Sequence, residues 1–265
     1  MWQWFLHRVL KRPYILHVRT DQGQGKTVVL LHGIASSGNI WRYLVKLLAS
    51  RRIRVIVPDL LGFGLSQKPR EKWVRYTATD HAEALLATLD KCNVSGKITL
   101  VGHSMGCFVA IEAARMRPRL VKKLILYEPP FYAGLPETSS YKKRLKAYFR
   151  FYTRLITKQP TGISGHILAS RLVSTITGFE LRRDSWVPFQ RSMKHAILQQ
   201  TALEDLKTLT IPTEIIYGRY DRLAFSDSTH SFFDQTHTHI TTTELPELHH
   251  ISHMAAQTIA NLLSD

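Results

Sequence analysis

The sequence predicts an α/β fold with a mostly parallel central sheet, helices on both faces and an all-helical insertion. Short β-branched runs suited to buried strands alternate with single amphipathic stretches through the first half of the chain. The alternation stops near residue 133 and resumes near residue 208, for two more strands and a final helix. Strands separated by single helices are typical of parallel sheets with both faces covered.

The chain of 265 residues, 44% of them hydrophobic, is long enough to bury a sizeable core. We divide it into an N-terminal amphipathic helix at 1–13, a first part of the α/β core at 14–132, a helical cap at 133–207 and a second part of the core at 208–265.

Each core element is predicted from its periodicity and its turn residues. A strand at 14–20, a turn at 21–25 and a buried strand at 28–31 indicate a hairpin that feeds the sheet. The next predicted helices lie at about 39–49, 77–90 and 105–116, and the next strands at 53–57, 98–101 and 124–127. After the insertion we predict strands at 214–217 and near 240–243 and a helix at about 254–263.

The N-terminal segment carries an apolar stripe at helical spacing before Pro13 ends the helix. The stripe consists of Trp2, Phe5, Leu6, Val9 and Leu10. Such a helix either packs on the core or lies on an anionic membrane surface, with Trp2, Trp4 and Phe5 in the interface and Arg8, Lys11 and Arg12 near lipid headgroups.

The positive charge is concentrated in the insertion. The chain has 36 Lys and Arg against 20 Asp and Glu, a net charge of +16, and residues 131–200 alone hold twelve basic against three acidic residues. The same segment contains two apolar stripes at helical spacing. The first lies within 141–156, with basic residues on the opposite face, and the second consists of Trp186, Phe189, Met193, Ala196 and Ile197. A basic cap of this kind would attract anionic substrates or membranes, whereas no nucleic-acid recognition module is visible.

Cysteine content and hydropathy favour a cytoplasmic protein, at most peripheral to a membrane. Cys92 and Cys107 are the only cysteines, and the N-terminus lacks the residue order of a secretory signal. No apolar run approaches the roughly 20 residues that a membrane-spanning helix needs.

The residues that predict chemistry begin with Gly102-His103-Ser104-Met105-Gly106, which satisfies the pattern G-x-S-x-G. The motif lies between a predicted strand and a predicted helix, where flanking glycines allow a sharp turn that exposes the serine hydroxyl. We therefore predict that Ser104 is a nucleophile.

An acyl-transfer serine needs a base, and the base needs an acid that orients it. Asp221 follows the strand at 214–217 and is the predicted acid, with Glu128, just beyond the strand at 124–127, as the rival. Three histidines, His249, His250 and His253, precede the last helix, and position alone does not choose the base among them.

With these motifs the chain resembles the α/β-hydrolase superfamily, in the branch whose helical cap is inserted after the sixth strand. The resemblance is carried by LHGIASS at 31–37 with Trp41, PDLLGFGLS at 58–66, the Ser104 turn and YGRYD at 217–221. In relatives the catalytic histidine precedes a second histidine by three positions, which implies His250 as the base and His253 as a residue at the start of the helix. Position 249, commonly glycine in relatives, is histidine here.

The resemblance also implies an oxyanion hole formed by the backbone amides of Ile34 and Met105. Cys107, where relatives often have a second glycine, is expected to be a small buried residue.

Three other sites are excluded by spacing. Gly25-Lys26-Thr27 lacks the first glycine of a phosphate loop, and Gly62-Phe63-Gly64 lacks the third glycine of a dinucleotide fingerprint. The histidines at 249–253 lack zincin spacing. We therefore expect neither a metal nor a cofactor.

The sequence thus predicts a serine hydrolase that cleaves carboxylic esters of a small-molecule acyl substrate, similar to carboxylesterases and lipases. The same groups could act on a thioester, lactone, amide or carbon–carbon bond, because the superfamily changes substrate with the cap. A ligand-sensing protein on the same fold, with little turnover, is the alternative from a different class. Substrate-binding residues are not identified by the sequence.

Overall fold

The computed structural model describes residues 5–10, 12–131, 146, 147, 150, 182–221 and 239–264. A seven-stranded sheet in the order β1-β3-β2-β4-β5-β6-β7 forms its centre, and only β1 runs antiparallel to its neighbour. The strands are β1 (Val18–Gln22), β2 (Lys26–Leu31), β3 (Ile53–Pro58), β4 (Ile98–His103), β5 (Val121–Tyr127), β6 (Thr213–Gly218) and β7 (Ile240–Leu245). The predicted α/β fold with a mostly parallel sheet is confirmed.

Helices cover both faces of the sheet. They are α1 (Arg42–Leu48), α2 (Ala78–Lys91), α3 (Met105–Met116), α4 (Trp186–Ser192), α5 (Ala202–Thr208) and α6 (His253–Leu262). Val29 and Leu31 of β2 belong to an apolar cluster with α2, α3 and α5, whereas Val28 and Leu30 belong to a second cluster with α1 and α6. This alternation follows from the period of two residues in a strand, and it explains why the central strands are apolar on both faces.

The predicted hairpin between the first two strands is wrong. β1 pairs antiparallel with β3, and β3 lies between β1 and β2. Both edges of β2 are occupied by the parallel strands β3 and β4, so β1 can join the sheet only at the outer edge of β3. The glycines of the turn, Gly23 and Gly25, have φ of +88° and +101° and approach the backbone of Ile53 and Arg52.

The described part of the predicted cap is helical. Residues 183–197 form a short 3-10 turn, α4 and a π-helical turn, and all five residues of the second apolar stripe are buried. The first stripe, within 141–156, lies almost entirely outside the described residues, and its structure stays a prediction.

At the N-terminus a π-helical turn spans Phe5–Val9 and has no buried residue. Phe5, Val9 and Leu10 are each more than two-fifths exposed. Trp2, Trp4 and Lys11 lie outside the described residues. The part of this stripe that the structure describes is therefore accessible at the surface.

Among the described residues, none of the helices has the length and apolar character needed to cross a bilayer.

The register of the parallel strands determines where the functional groups meet. His103 pairs with Tyr127, and Tyr127 pairs with Ile216, so β4, β5 and β6 end at one edge of the sheet. Ser104 and Glu128 each follow the last residue of their strand at that edge. Asp221 lies three residues beyond the end of β6.

Candidate active site

Ser104 occupies a sharp turn between β4 and α3. Its φ of +51° and ψ of −121° are a strained conformation for a residue with a side chain. A Cβ on Gly102 would lie 2.6 Å from the Cys107 nitrogen, and one on Gly106 would lie 2.4 Å from the Leu31 carbonyl oxygen. Both positions therefore require glycine, which is the physical reason for the G-x-S-x-G pattern.

The side chain of His249 lies between Ser104 and Asp221. Its Nδ1 is 2.6 Å from Oδ2 of Asp221, and its Nε2 is 3.0 Å from Oγ of Ser104. Because a carboxylate only accepts hydrogen bonds, Nδ1 carries the proton and Nε2 of the neutral ring is the acceptor for the Ser104 hydroxyl. The arrangement can take a proton from the serine and hold the resulting imidazolium against a carboxylate.

The histidine spacing of relatives implied that His250 would lie between Ser104 and Asp221. In the structure that place is taken by His249. The His250 side chain is exposed, and its carbonyl oxygen accepts a 2.9 Å hydrogen bond from the Tyr127 hydroxyl. Its N–H also closes a tight turn with Leu248. This anchoring turns the backbone so that the 249 side chain, and not the 250 side chain, enters the site.

His253 is the first residue of α6, as predicted, and its ring packs edge-on against Tyr43 with 4.0 Å between ring centroids. Its side chain is exposed. His253 therefore lies outside the hydrogen-bonded row of Ser104, His249 and Asp221.

Backbone hydrogen bonds hold the Asp221 loop against the loop that carries His249. Asp221 N–H donates to the Gly218 carbonyl at 3.1 Å, and Tyr220 N–H donates to the Glu247 carbonyl at 3.1 Å. The loops after β6 and β7 are therefore joined directly, which places the carboxylate beside the imidazole across 28 residues of sequence.

The two amides expected to form an oxyanion hole belong to Met105, the residue after Ser104, and to Ile34, in the turn that follows β2. Within the described part of the chain, neither the Ile34 N–H nor the Met105 N–H donates to another protein group. The turn that contains Ile34 approaches the serine closely, since a Cβ on Gly33 would lie 3.1 Å from the Ser104 Cβ. Both donors are thus available to an oxygen atom bound next to the serine.

The turn before Ile34 is held by His32, which is fully buried. Its Nε2 accepts a 2.9 Å hydrogen bond from the Leu60 N–H, and its Nδ1 lies 2.7 Å from the Gly33 carbonyl, to which it donates. Burial lowers the pKa of His32 to about 4, so the ring stays neutral at neutral pH and can keep both bonds.

Glu128, the rival acid, is fully buried and has a φ of +54°. Carboxyl oxygens of Glu128 and Asp221 and an imidazole nitrogen of His249 all lie within 4.8 Å of one another. Burial, and then the neighbouring Asp221 carboxyl group, raise the pKa of Glu128 far above its ordinary value. The direct partner of His249 is nevertheless Asp221.

These three side chains are the set closest to a metal-binding arrangement in the described ranges. Both nitrogens of His249 are already engaged, one with Asp221 and one with Ser104. The imidazole therefore has no lone pair directed towards the two carboxyl groups, and the geometry fits a hydrogen-bonded chain better than a metal site.

His103 is a neighbour that the sequence did not single out. Its ring lies against His249, with 5.1 Å between centroids, and against Tyr127, with 5.7 Å. Burial lowers its pKa well below the ordinary value. His103 is the first variable residue of the G-x-S-x-G motif. Its contact with His249 could not be predicted from the alternation of residues along β4, because His249 lies on a distant loop.

Cys107 is fully buried in α3, as expected. Its Sγ lies 3.2 Å from the Gly102 carbonyl and 3.3 Å from the Tyr127 carbonyl. Burial raises the pKa of the thiol well above its ordinary value. A neutral thiol that donates to backbone carbonyls is a packing residue and not a second nucleophile.

The fold and the site define a protein of the α/β-hydrolase class. The family model of the alpha/beta hydrolase fold matches residues 26–256, and the chain belongs to this family. An esterase from Thermogutta terrifontis has a similar structure, with a TM-score of 0.70 at 21% identity over 94% of this chain and 91% of that chain.

Relatives similar in sequence carry different activities in their names. A cis-3-alkyl-4-alkyloxetan-2-one decarboxylase from Shewanella oneidensis is 36% identical over 118 residues, 44% of this chain and 36% of that protein. A probable lysophospholipase, BODYGUARD 4 of Arabidopsis thaliana, is 32% identical over 119 residues, 44% of this chain and 28% of that protein. The chain matches only about a third of the length of each, so the family is shown while the reaction remains to be argued from the site.

Proposed function

We propose that this protein is a serine hydrolase that cleaves carboxylic esters through an acyl-enzyme. The observation that carries the proposal is the row Ser104–His249–Asp221, with contacts of 3.0 and 2.6 Å at a strained turn. A serine with a hydrogen-bonded base and an orienting acid is the arrangement that acyl transfer requires.

In the proposed mechanism His249 acts as the base. Its Nε2 takes the Ser104 proton as Oγ attacks the acyl carbonyl, and the proton then passes to the leaving alcohol. His249 then takes a proton from water as the water oxygen attacks the acyl-enzyme, and it returns this proton to Ser104 Oγ as the carboxylic acid is released. Asp221 keeps the proton on Nδ1 and stabilises the imidazolium, since its buried carboxylate lies 2.6 Å from that nitrogen.

The Ile34 and Met105 amides would donate to the oxyanion of the tetrahedral intermediate. Their availability and the close approach of the Gly33 turn to Ser104 support this role. Donors held by a rigid backbone act without reorganisation as the charge develops, and one such donor typically contributes about a hundredfold or more to kcat.

The substrate class follows less directly. The apolar stripes of the predicted cap favour an uncharged acyl group, and the basic residues favour an anionic group elsewhere on the substrate. The relatives include a probable lysophospholipase and a decarboxylase of an oxetan-2-one, a four-membered cyclic ester, which makes lipid esters and lactones worth testing.

The test is labelling with a fluorophosphonate probe, followed by turnover of a panel of esters, thioesters, lactones and amides. We expect probe labelling and fastest turnover of esters. Labelling without turnover of any compound would favour a ligand-sensing role on the same fold, and absence of labelling would overturn the proposed nucleophile.

A further inference from the structure

The Glu128 carboxyl group is not needed by the reaction proposed above. It is fully buried beside Asp221, on the residue that follows β5, the strand next to β6. The chain holds Glu128 at a φ of +54°, while its N–H donates to the Ile216 carbonyl at 2.8 Å. A carboxyl group buried at the base of a site, on a strained backbone, calls for a physical explanation.

The Glu128 carboxyl group lies between the end of β6 and Asp221. A Cβ on Gly218 would lie 2.5 Å from Oε1 of Glu128, so the carboxyl group packs directly over the last residue of β6. Three residues later, Asp221 places a carboxyl oxygen within 4.8 Å of the Glu128 carboxyl group. In the described part of the chain no N–H or O–H donor makes a well-formed hydrogen bond to either Glu128 oxygen.

Two carboxyl groups this close together and shielded from water do not both ionise, because the repulsion and the lost hydration are too costly. Asp221 faces the Nδ1–H of His249, which favours the ionised form of Asp221. Glu128 faces no imidazole N–H; the nearby Gly218 N–H favours its ionised form less than burial and the neighbouring Asp221 carboxylate oppose it, so the shared proton belongs on Glu128.

The remaining titratable groups around the pair agree with this assignment. They are His249, His103, Tyr127, Glu247 and Cys107. Glu247 adds negative charge, which opposes ionisation of Glu128, and burial keeps the Tyr127 hydroxyl and the Cys107 thiol neutral. The largest influences on Glu128 among the described residues come from its burial, Asp221, the Gly218 backbone and Glu247, and none of them is a lysine or arginine.

We propose that Glu128 is a positioning residue whose protonated carboxyl group donates a hydrogen bond to the Asp221 carboxylate and keeps that carboxylate directed at His249. The inference rests on the proposed function, because it assigns a role towards the same histidine. Glu128 does not touch the reacting atoms, and it acts through Asp221.

The first test compares Glu128→Gln with Glu128→Leu. Glutamine keeps the shape and a donor but cannot ionise, whereas leucine keeps the volume and has no donor. We expect Glu128→Gln to retain kcat within about threefold, and Glu128→Leu to lower kcat about ten- to a hundredfold with little change in KM, as for loss of a buried hydrogen bond to a charged group. Equal activity of the two variants would overturn the proposal.

The second test separates a neutral Glu128 from an ionised one by the pH profile. An ionised carboxylate near His249 would raise the pKa of the base, and its removal would shift the acidic limb of kcat/KM to lower pH. We expect no such shift in Glu128→Gln. A shift of about half a pH unit or more would overturn the proposal. Glu204→Gln is the control and should leave the pH profile unchanged, because the exposed Glu204 carboxylate pairs with Lys207 and is not among the groups around Glu128.

A third readout needs no turnover. Infrared spectra at pH 8 should contain the carbonyl stretch of a protonated carboxylic acid, and this band should be lost in Glu128→Gln. Its absence from the parent protein overturns the inference even if the enzyme is active. Conversely, if the parent protein shows the band but is not labelled by the fluorophosphonate, the proposed function is overturned and the protonated state of Glu128 is not. Melting curves of each variant identify any that do not fold.

Discussion

Nε2 of His249 lies 3.0 Å from Oγ of Ser104, although 145 residues separate them in the chain. The contact forms where the loop after β7 folds over the carboxyl end of β4. The sequence motifs predicted Ser104 as the nucleophile, but they implied His250, and not His249, as its base.

Replacement of Ser104 by alanine should abolish fluorophosphonate labelling and lower ester turnover by at least about a thousandfold. The fold should be retained, because the side chain makes its contact with His249 and not with the core. Labelling, turnover and a thermal melt measure these outcomes. Wild-type turnover in the variant would disprove the central claim of the proposed function.

Alanine substitutions at the three histidines should rank them. His249→Ala should lower kcat about a thousandfold or more, because it removes the base. His250→Ala and His253→Ala should remain within about threefold, since both side chains are exposed and His250 meets Tyr127 through its backbone carbonyl. A larger loss of kcat in His250→Ala than in His249→Ala would mean that His250 is the base, as the histidine spacing of relatives implied.

Asp221→Asn should lower kcat by about four orders of magnitude, as in the serine-protease triad, because an amide favours the wrong histidine tautomer. Glu128→Gln should be far milder, since Glu128 does not touch the imidazole. Steady-state kinetics on one activated ester give both values. If Glu128→Gln were the more damaging change, the acid would have to be reassigned to Glu128.

His81 should make the protein sensitive to acid. Burial lowers its pKa to about 3, below the ordinary 6.5, while its Nε2 lies 3.2 Å from Ser192 Oγ. Unfolding therefore takes up a proton between these two pH values, and the stability present above pH 6.5 is lost as the pH falls, at up to about 1.4 kcal/mol per pH unit.

The measurement is the free energy of unfolding by urea at several pH values for the parent and for His81→Gln, which does not titrate. The parent should lose stability more steeply between pH 6 and pH 4.5. Titrating groups that do not interact with His81 contribute equally to both proteins and cancel in the difference, whereas the charge interaction between His81 and His32 is part of the measured effect. Parallel curves would mean that His81 does not contribute to the acid sensitivity.

The exposed apolar residues near the N-terminus should bind anionic membranes. Phe5, Val9 and Leu10 are exposed, and Arg8 and Arg12 lie in the same segment. Co-sedimentation of the full chain with anionic vesicles, but not with neutral ones, should be lost when the three apolar residues are changed together to serine. Leu248→Ser, another exposed apolar residue, is the control. Equal binding by both variants would disprove this role.

The alternation of strands and helices was readable from the sequence because hydrophobic period and turn residues act locally. The same holds for the Ser104 turn, where glycines at 102 and 106 are required by contacts within a few residues of the turn and with the end of β2. Asp221 was predicted because a loop at the carboxyl end of a parallel strand collects functional groups.

Other features depend on contacts between distant segments. Whether position 249 or 250 faces the serine is decided by the turn that ties the His250 carbonyl to Tyr127, 123 residues away. β1 joins β3 and not β2 because β4 already occupies the other edge of β2. The proximity of Glu128 to Asp221 follows from the register of β5 on β6. The fold class, the serine turn and the chain order of Ser104, Asp221 and the three histidines could therefore be predicted from the sequence. Which imidazole lies beside Ser104, and which carboxyl groups lie together, could not be predicted, because side-chain direction in a loop is set by distant hydrogen bonds that leave no periodic signal.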